Sequence, residues 1–241
     1  MKEHRKMARQ QKQPLLLVPG LNCTNELYAH QLDALSDVAS MSVADHTRHD
    51  SMTEIATAVL ATAPAQFALV GLSMGGYIAM EIIHQAPARV TRLALLDTST
   101  RSDRPQHAEQ RQSLITLAKT KGMQALSDVF LPHLLHPDHL SNAGLTDVIH
   151  RMALDTGVEA FVRQQTAIIG RPDNRPLMAR IACPTLIVVG AEDQITPLKV
   201  AREVADGIEG SRLEIIANCG HLPTLEQPEA LNACLREWLQ S

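Results

Sequence analysis

Residues 67–76 read FALVGLSMGG, an apolar run that ends in a serine flanked by glycines. The letters G-x-S-x-G fall on residues 71–75, with Ser73 at the centre and a helical pattern directly after it. Such a sequence predicts a strand, a sharp turn and a helix, in which the glycines let neighbouring backbone segments approach the crowded turn closely. The Ser73 hydroxyl would then stand above a sheet, near the positive end of the following helix, where developing negative charge is favoured.

Short apolar runs of the same kind recur at residues 15–18, 38–43, 93–96, 185–189 and 213–216. Most of them are continuous rather than alternating, which is typical of strands buried on both faces of a parallel sheet. Segments with helical periodicity lie between them, at residues 27–35, 52–63, 74–85, 198–205 and 228–239. Thr196 and Pro197 predict an N-cap and a first turn for the fourth of these helices. The alternation predicts an α/β fold, with a mostly parallel central sheet flanked by helices.

The alternation stops between residues 101 and 176, where no strand pattern occurs. Helices are predicted there at residues 106–119, 123–131, 139–152 and 158–169. Gly122, Pro137 and Gly157 separate them. We therefore expect residues 101–176 to form a helical cap, or lid, inserted into a core made of residues 14–100 and 177–241. Residues 1–13 are polar and basic and are expected to form a mobile tail.

Composition and charge exclude several classes of function. The chain has 241 residues, enough for one well-buried domain with an insertion. Its net charge of −4 and its 2% aromatic residues supply neither the positive field nor the stacking surfaces of a nucleic-acid binder. No apolar run approaches the roughly 18 residues that span a bilayer. The four cysteines are scattered without a CxxC pair, which favours free thiols in a reducing compartment, so we expect a cytoplasmic protein.

A serine hydroxyl is a poor nucleophile without an adjacent base, and one histidine is well placed to be that base. His221 lies in the loop NCGHLP, which follows the last apolar run. Asp193 lies in the loop VGAEDQITP after the run TLIVV and would accept the second ring N–H of His221. Glu192 beside it, and Asp97 at the end of the run LALL, are the alternatives for the acid. Ser73, Asp193 and His221 all follow predicted strands, at the edge where open α/β sheets bind ligands.

The acyl transfer that such a triad performs needs hydrogen-bond donors for the developing oxyanion. One donor is expected to be the backbone N–H of Met74, the residue after the nucleophile. The other is expected from the loop after the first strand, with the N–H of Leu21 as the best candidate and Asn22 as an alternative through its backbone or side chain. The candidates for substrate contacts are Asn22, Cys23, Phe130, Leu134 and Phe161.

Three further histidines form a tempting cluster. His133, His136 and His139 lie close together, but Pro137 interrupts a regular helix there, and no set of Cys, Asp or Glu completes a metal site. We expect these histidines on the lid surface or at the pocket edge. No phosphate-binding loop and no G-x-G-x-x-G motif follows a strand, so we expect neither a metal nor a cofactor.

These loops together resemble the α/β-hydrolase fold superfamily over nearly the whole chain. The nucleophile elbow GLSMGG, the G-x-x-D loop that ends at Asp193, the Gly-His pair that ends at His221 and the order serine, aspartate, histidine all match it. The resemblance implies a helical cap and a likeness to small, cofactor-free carboxylesterases, lactonases and pimeloyl-ester-type hydrolases. Many relatives have His-Gly where this chain has Pro19 and Gly20, and because proline has no N–H, position 19 cannot donate to an oxyanion. The serine separates the chain from the dehalogenases and epoxide hydrolases of this fold, which use aspartate.

The expected function is that of a serine hydrolase of the carboxylesterase type. It would cleave a carboxylic ester, thioester or lactone of a small molecule through an acyl-enzyme on Ser73. One alternative is a C–C bond hydrolase or lyase that uses the same catalytic triad, and another is a ligand receptor that retains slow hydrolysis. Pocket shape separates these functions, and the fold class alone does not. We expect a small-molecule substrate, no nucleic-acid partner, and a monomer or homodimer.

Overall fold

Six short strands form the centre of the computed structural model, which describes residues 12–241. They are β1 (Gln13–Val18), β2 (Ala39–Val43), β3 (Phe67–Leu72), β4 (Val90–Leu96), β5 (Thr185–Gly190) and β6 (Arg212–Ile216). They pair in the order β2-β1-β3-β4-β5-β6, and every pair is parallel. The predicted α/β fold class is confirmed, and a strand lies at each of the six apolar runs.

The apolar runs form strands because the sheet is covered on both faces. Alternate residues of β1 belong to different cores: Leu16 and Val18 pack in one cluster, and Leu15 and Leu17 pack in the other. β3 and β5 are buried along their whole length, whereas the edge strands β2 and β6 keep exposed positions. A strand buried on both faces has no solvent-facing side on which polar residues can alternate, which accounts for the continuous runs in the sequence.

Helices cover both faces of the sheet and fill the connection between β4 and β5. They are α1 (Ala29–Ala34), α2 (Met52–Thr62), α3 (Met74–Gln85), α4 (Pro105–Leu134), α5 (Ala143–Ile169), α6 (Arg175–Met178), α7 (Leu198–Gly207), α8 (Pro223–Glu226) and α9 (Pro228–Gln240). α2, α3 and α7 pack in the cluster that contains Leu16, and α9 packs in the cluster that contains Leu15. The five helices predicted between strands all occur, although the first begins as a 3-10 helix, Asn25–Tyr28, that runs into α1.

Residues 101–176, called the helical segment below, contain two long helices, α4 and α5. The four helices predicted here are two bent ones, because Gly122 (φ 81°) interrupts α4 and Gly157 (φ 73°) interrupts α5 in the left-handed region that glycine adopts freely. α4 and α5 pack against each other around a small core that includes Leu126 and Phe161. This apolar interior is separate from the two clusters that cover the sheet.

The connection between α4 and α5 differs from the prediction. The sequence predicts a helix from residue 139, but Pro137–His139 forms a 3-10 turn and α5 begins at Ala143. That prediction is wrong because Asn142 caps the helix: its side-chain oxygen accepts a hydrogen bond from Gly144 N at 3.0 Å.

The N-terminal tail predicted for residues 1–13 lies outside the described residues except for its last two, and Gln13 already belongs to β1. Within residues 12–241, no helix combines the length and the apolar character needed to cross a membrane. All four cysteines are free thiols.

Candidate active site

The serine-centred turn lies between β3 and α3. Ser73 has φ 53°, a strained value for a residue with a side chain. Its N–H donates to Leu96 O (2.9 Å), and its carbonyl accepts from the Thr98 hydroxyl (2.7 Å). Gly75 lies so close to the Val18 carbonyl that a Cβ would overlap it. These contacts with the ends of β1 and β4 hold the strained serine at the carboxyl edge of the sheet.

Asp193 and His221 form a buried pair at the ends of β5 and β6. His221 Nδ1 lies 2.8 Å from Asp193 Oδ2. Oδ2 also accepts from the Thr196 hydroxyl (2.6 Å), while Oδ1 accepts from the N–H groups of Ile195 (2.8 Å) and Thr196 (3.1 Å). Burial alone would raise the pKa of Asp193, but the charge and hydrogen bond of His221 and these donors lower it well below its ordinary value. The arrangement binds Nδ1 to the carboxylate and directs Nε2 away from it.

Thr196 does not have its predicted role. The sequence predicts that it caps the following helix, but Pro197 is the N-cap of α7 and no side chain caps that helix. The prediction is wrong because the N-cap is one residue later, and the Thr196 hydroxyl is oriented toward Asp193, to which it donates. Glu192, an alternative for the acid, is also engaged elsewhere, since its carboxylate accepts from Cys219 N at 3.0 Å.

Asp97, the other alternative for the acid, lies at the same edge of the sheet. Its Oδ1 accepts from Gly190 N (2.8 Å), and its buried Oδ2 has no partner within residues 12–241. Burial, and then the nearby charge of Asp193, raise the pKa of Asp97 well above its ordinary value. Asp97, Asp193 and His221 each place a side-chain atom within 4.8 Å of the others, but Asp193 is the carboxylate that hydrogen-bonds the ring. The geometry therefore favours Asp193 as the acid.

A glutamate that was not predicted from the sequence stabilises the His221 loop. Glu226 is buried in α8, and its Oε1 accepts from Gly220 N (2.9 Å) and Leu222 N (3.3 Å), the residues on either side of His221. The spacing offers a signal, since Glu226 follows His221 by five residues in the sequence GHLPTLE. Two backbone donors on one carboxylate fix the direction in which the loop presents the histidine.

The same loop is attached to the helical segment. His221 N donates to Leu134 O (2.8 Å), the last residue of α4. Glu226 Oε2 accepts from His136 N (2.6 Å) and lies 2.8 Å from His139 Nδ1. Two histidines of the cluster found in the sequence are therefore partners of Glu226 in the connection between α4 and α5. A movement of that connection would move the backbone of His221.

The loop after β1 is stabilised by hydrogen bonds between its backbone and two buried polar side chains. Asn22 has φ 62°, and its N–H donates to Gln164 Oε1 on α5 (3.1 Å). His46 Nε2 lies 2.9 Å from Gly20 O and 3.0 Å from Gln164 Nε2. Burial lowers the pKa of His46, which favours the neutral imidazole. Neither Gln164 nor His46 was predicted from the sequence.

Two backbone donors near Ser73 remain for an oxyanion. The N–H of Asn22 is taken by Gln164, which removes the backbone alternative for that residue. The N–H groups of Leu21 and Met74 donate to no group within the part of the chain that the structure describes. Leu21 lines the cavity with Ser73, and Met74 follows Ser73 as the first residue of α3. Leu21 and Met74 therefore stay the predicted pair of donors.

Ser73 and His221 line one cavity of about 100 Å³, between the sheet edge and the helical segment. Four of the predicted substrate contacts line it as well: Asn22, Cys23, Phe130 and Leu134. Among the described residues, the Ser73 hydroxyl makes no hydrogen bond with His221. Such bonds are often long in proteins without substrate and tighten when it binds.

Two of the predicted substrate contacts, Phe161 and Cys23, differ in their position relative to the cavity. Phe161 does not line the cavity: it is fully buried inside the helical segment, where its ring meets Phe130 edge-on at 6.4 Å between centroids. The prediction that Phe161 contacts the substrate is therefore wrong, and its ring instead packs against Phe130. Burial raises the pKa of the Cys23 thiol to about 12, so Cys23 lines the cavity as a neutral group and not as a second nucleophile.

A family model described as the alpha/beta hydrolase family matches residues 15–233. The chain belongs to the alpha/beta hydrolase family. BpoC of Mycobacterium tuberculosis, a candidate non-heme bromoperoxidase, is 31% identical over 187 residues, 74% of this chain and 69% of BpoC. The 2-hydroxy-6-oxononadienedioate/2-hydroxy-6-oxononatrienedioate hydrolase of Escherichia coli is 28% identical over 189 residues, 73% of this chain and 62% of that hydrolase.

Solved structures of related proteins superpose on almost the whole of this chain. A thermophilic esterase from Thermogutta terrifontis, with malate bound, is 28% identical with a TM-score of 0.87, covering 95% of this chain and 89% of the esterase. The enol-lactonase from Burkholderia xenovorans LB400 has the same fold, with a TM-score of 0.87 at 24% identity, covering 96% of this chain and 92% of the lactonase. The alpha/beta hydrolase described here is therefore an enzyme of a hydrolase family whose relatives have several different activities.

Proposed function

We propose that this alpha/beta hydrolase is a serine hydrolase that cleaves a carboxylic ester, thioester or lactone of a small molecule through an acyl-enzyme on Ser73. One observation carries the proposal: the strained Ser73 borders the same cavity as His221, whose Nδ1 lies 2.8 Å from the buried carboxylate of Asp193. A hydroxyl, an imidazole and a carboxylate in this relation are the recurring machinery of acyl transfer. The 28% identity with an esterase supports the same chemistry.

In the acylation step, Ser73 Oγ attacks the ester carbonyl and His221 Nε2 accepts the hydroxyl proton. Asp193 holds Nδ1 through its 2.8 Å hydrogen bond and stabilises the imidazolium that forms. The lowered pKa of Asp193 keeps it ionised throughout, so the proton stays on the ring and passes to the leaving alcohol or thiol. A water molecule then attacks the acyl-enzyme by the reverse proton path and releases the acid.

The negative oxygen of the tetrahedral intermediate would be bound by the N–H groups of Leu21 and Met74. Both are backbone donors, so the absence of an N–H at Pro19 leaves the oxyanion hole intact in this proposal. Removing one such donor costs about 2.7–4 kcal/mol of transition-state stabilisation in other hydrolases. Gln164 supports the arrangement by binding the next N–H along, that of Asn22.

We assign the helical segment the part of a lid over the core. It contributes Phe130 and Leu134 to the cavity wall, and the hydrogen bond from His221 N to Leu134 O attaches it to the catalytic loop. An apolar wall over the site keeps bulk water from the reacting atoms and strengthens the electrostatic interactions there. Asn22, Cys23, Phe130 and Leu134 remain as proposed contacts for the substrate.

A second candidate is the cleavage of a C–C bond next to a carbonyl group. The similarity to the Escherichia coli 2-hydroxy-6-oxononadienedioate/2-hydroxy-6-oxononatrienedioate hydrolase, 28% identical, favours it. The same histidine and serine would serve, and the two reactions differ in the bond that breaks. Rapid turnover of simple esters with a burst of the first product supports ester cleavage, because a burst shows that an acyl-enzyme accumulates.

The test is a panel of p-nitrophenyl esters of increasing acyl length, with the wild type, Ser73→Ala and Ser113→Ala. Ser113 is an exposed serine on α4 and serves as the matched control. We expect turnover by the wild type and Ser113→Ala, and a fall in kcat of about 10⁴-fold or more in Ser73→Ala. Turnover of a vinylogous 1,5-diketone by cleavage of its C–C bond, without turnover of any ester, would replace the first candidate by the second.

A further inference from the structure

The cavity next to Ser73 is apolar except at a few positions, and one of these carries a permanent charge. Among the described residues that line the cavity, Arg111 is the one lysine or arginine, and no carboxylate lines it. Arg111 lies on the first half of α4, and Ile168 of α5 and Tyr77 of α3 also belong to the wall. A guanidinium in an apolar wall is costly unless an anion accompanies it.

The charges around Arg111 do not balance. Its Nε donates to Asp103 Oδ2 (2.6 Å), and its Nη1 donates to Gln165 Oε1 (2.9 Å). Asp103 is shared with a second guanidinium, since Arg171 Nη1 lies 2.7 Å from Oδ1 and both side chains are buried. His107 Nδ1, 3.9 Å from the same carboxylate, adds no negative charge. Two guanidinium groups against one carboxylate leave one positive charge, at the edge of the cavity.

Arg171 is the structural member of this cluster. Besides Asp103, it binds the carbonyl oxygens of Arg101 (2.9 Å) and Ile168 (3.0 Å), and its guanidinium lies over the Tyr77 ring at 4.3 Å. Asp103 therefore faces two guanidinium groups, Arg171 through Oδ1 and Arg111 through Oδ2. Of the two, Arg111 is the one that lines the cavity, and its Nη2 has no partner within residues 12–241.

Other polar groups of the cavity wall also lack protein partners. The Tyr77 hydroxyl makes no hydrogen bond with the described residues, and the Ser127 hydroxyl is completely buried without a partner. Buried hydroxyl groups nearly always have partners, so an orphan that lines a cavity indicates a polar ligand. Tyr77 lies next to the cluster, because Arg171 stacks on its ring.

From this arrangement we infer that the natural substrate carries a carboxylate, held by Arg111 Nη2 with the Tyr77 hydroxyl as a second donor. The inference rests on the proposed function and names its substrate class: an ester, thioester or lactone of a small organic acid with a second, free carboxylate. A guanidinium is the side chain best matched to a carboxylate, because it forms directed, charge-assisted hydrogen bonds. Arg111 and Ser73 line the same largely apolar cavity, which suits a hydrocarbon spacer between the ester and the charge.

The test compares esters of equal size that differ in charge. The first pair is mono-p-nitrophenyl adipate and its methyl ester, in which the charge lies on the acyl side. The second pair is the butyrate ester of 3-hydroxybenzoate and that of methyl 3-hydroxybenzoate, in which the charge lies on the leaving group. Arg111→Gln removes the charge, and Lys119→Gln removes an equal charge from the exposed side of the same helix.

The wild type is expected to prefer the anionic member of at least one pair. Arg111→Gln should lower kcat/KM for that ester by about 10- to 100-fold, the range expected for a lost hydrogen bond to a charged group. The loss should fall mainly on KM, and Arg111→Lys, which keeps the charge, should restore part of it. Lys119→Gln and the neutral esters should show no comparable change. Equal use of charged and neutral esters by the wild type, or equal losses on both esters in Arg111→Gln, would overturn the inference.

Binding measurements separate this inference from the proposed function. Calorimetry with monomethyl adipate and dimethyl adipate needs no turnover and can be done with Ser73→Ala. Tighter binding of the monoanion, lost in Ser73→Ala combined with Arg111→Gln, supports the carboxylate site even if no ester is hydrolysed. Hydrolysis of neutral esters without a charge preference in either assay keeps the proposed function and rejects the site. The variant is expected to fold, since Arg171 still neutralises Asp103.

Discussion

Replacing Glu226 by glutamine tests whether the His221 loop is held as the structure shows. Oε1 accepts from Gly220 N (2.9 Å) and Leu222 N (3.3 Å), and Oε2 accepts from His136 N (2.6 Å) and lies 2.8 Å from His139 Nδ1. Glutamine keeps one acceptor oxygen and replaces the other by an NH₂ group. In one orientation of the amide the NH₂ group meets the N–H groups of Gly220 and Leu222, and in the other it meets the N–H of His136.

The cost follows from the number of bonds lost. One or two hydrogen bonds to a charged group are lost, at about 1.5–3 kcal/mol each, so the free energy of unfolding should fall by about 1.5–6 kcal/mol. A chain of this size loses about 2–4 °C in Tm per kcal/mol, so a shift of at least about 3 °C is expected. Because the bonds flank His221, kcat on an ester should also fall at temperatures well below Tm, with KM little changed.

The assay is thermal unfolding together with ester kinetics at one temperature, about 20 °C below the lowest Tm among the variants. Glu229→Gln is the matched control, because Glu229 lies exposed on α9, three residues further along the chain. A merely structural role for Glu226 would lower Tm and leave kcat unchanged once the protein is folded. Equal Tm and equal kcat in Glu226→Gln and Glu229→Gln would refute the reasoning.

Further predictions concern the carboxylates and the loop behind the oxyanion. Asp193→Asn should lower kcat by about 10³- to 10⁴-fold, because the amide stabilises the wrong tautomer of His221, and steady-state kinetics will show it. Asp97→Asn should keep most of the activity; if instead it is the more damaging change, Asp97 is the acid. The raised pKa of Asp97 means that the folded state takes up a proton there, so its contribution is fully present below the unfolded pKa of about 3.9 and is lost as pH rises through the folded pKa. Asp97→Asn should therefore gain in Tm relative to the wild type between pH 5 and 8, and parallel Tm curves would contradict this. Gln164→Leu releases the N–H of Asn22 and should lower kcat about 10-fold or more through a misplaced loop, whereas an unchanged kcat would show that Gln164 does not position it.

The strands were predictable because a strand that is buried on both faces consists of consecutive apolar residues. In β5, the run TLIVV is buried on both faces, and no polar residue interrupts it. The loops that follow such strands meet at one edge of a parallel sheet, so the meeting of Ser73, Asp193 and His221 follows from topology once the strands are known. The sequence predicts that these three residues lie at the ends of strands. The 2.8 Å hydrogen bond between Asp193 and His221 is seen only in the structure.

The supporting residues were not predictable because their partners are distant in the sequence. Gln164 contacts Asn22 across 142 positions, and Arg111 contacts Gln165 across 54. A glutamine or an arginine on a helix with mixed polarity carries no local sign that it points inward. Glu226 is an exception, since it follows His221 by five residues and its two backbone bonds are local.

The errors at helix ends have a similar cause. Thr196 before a proline has the sequence of an N-cap, yet Pro197 is the N-cap of α7, and the Thr196 hydroxyl is oriented toward Asp193, to which it donates. Asn142 has the correct sequence for a cap, but the apolar pattern around residue 139 extends the predicted helix beyond it. In the first case a tertiary contact overrides the local sequence signal, and in the second the helical spacing of apolar residues does.

The central claim is that Ser73 is a nucleophile activated by His221, and the most direct test is intact-mass spectrometry after treatment with a fluorophosphonate. The wild type is expected to gain the mass of a single adduct, and Ser73→Ala is expected to gain none. Ser113→Ala, in which an exposed serine is removed, should react like the wild type. An unmodified wild type, or an adduct that persists in Ser73→Ala, would contradict the account.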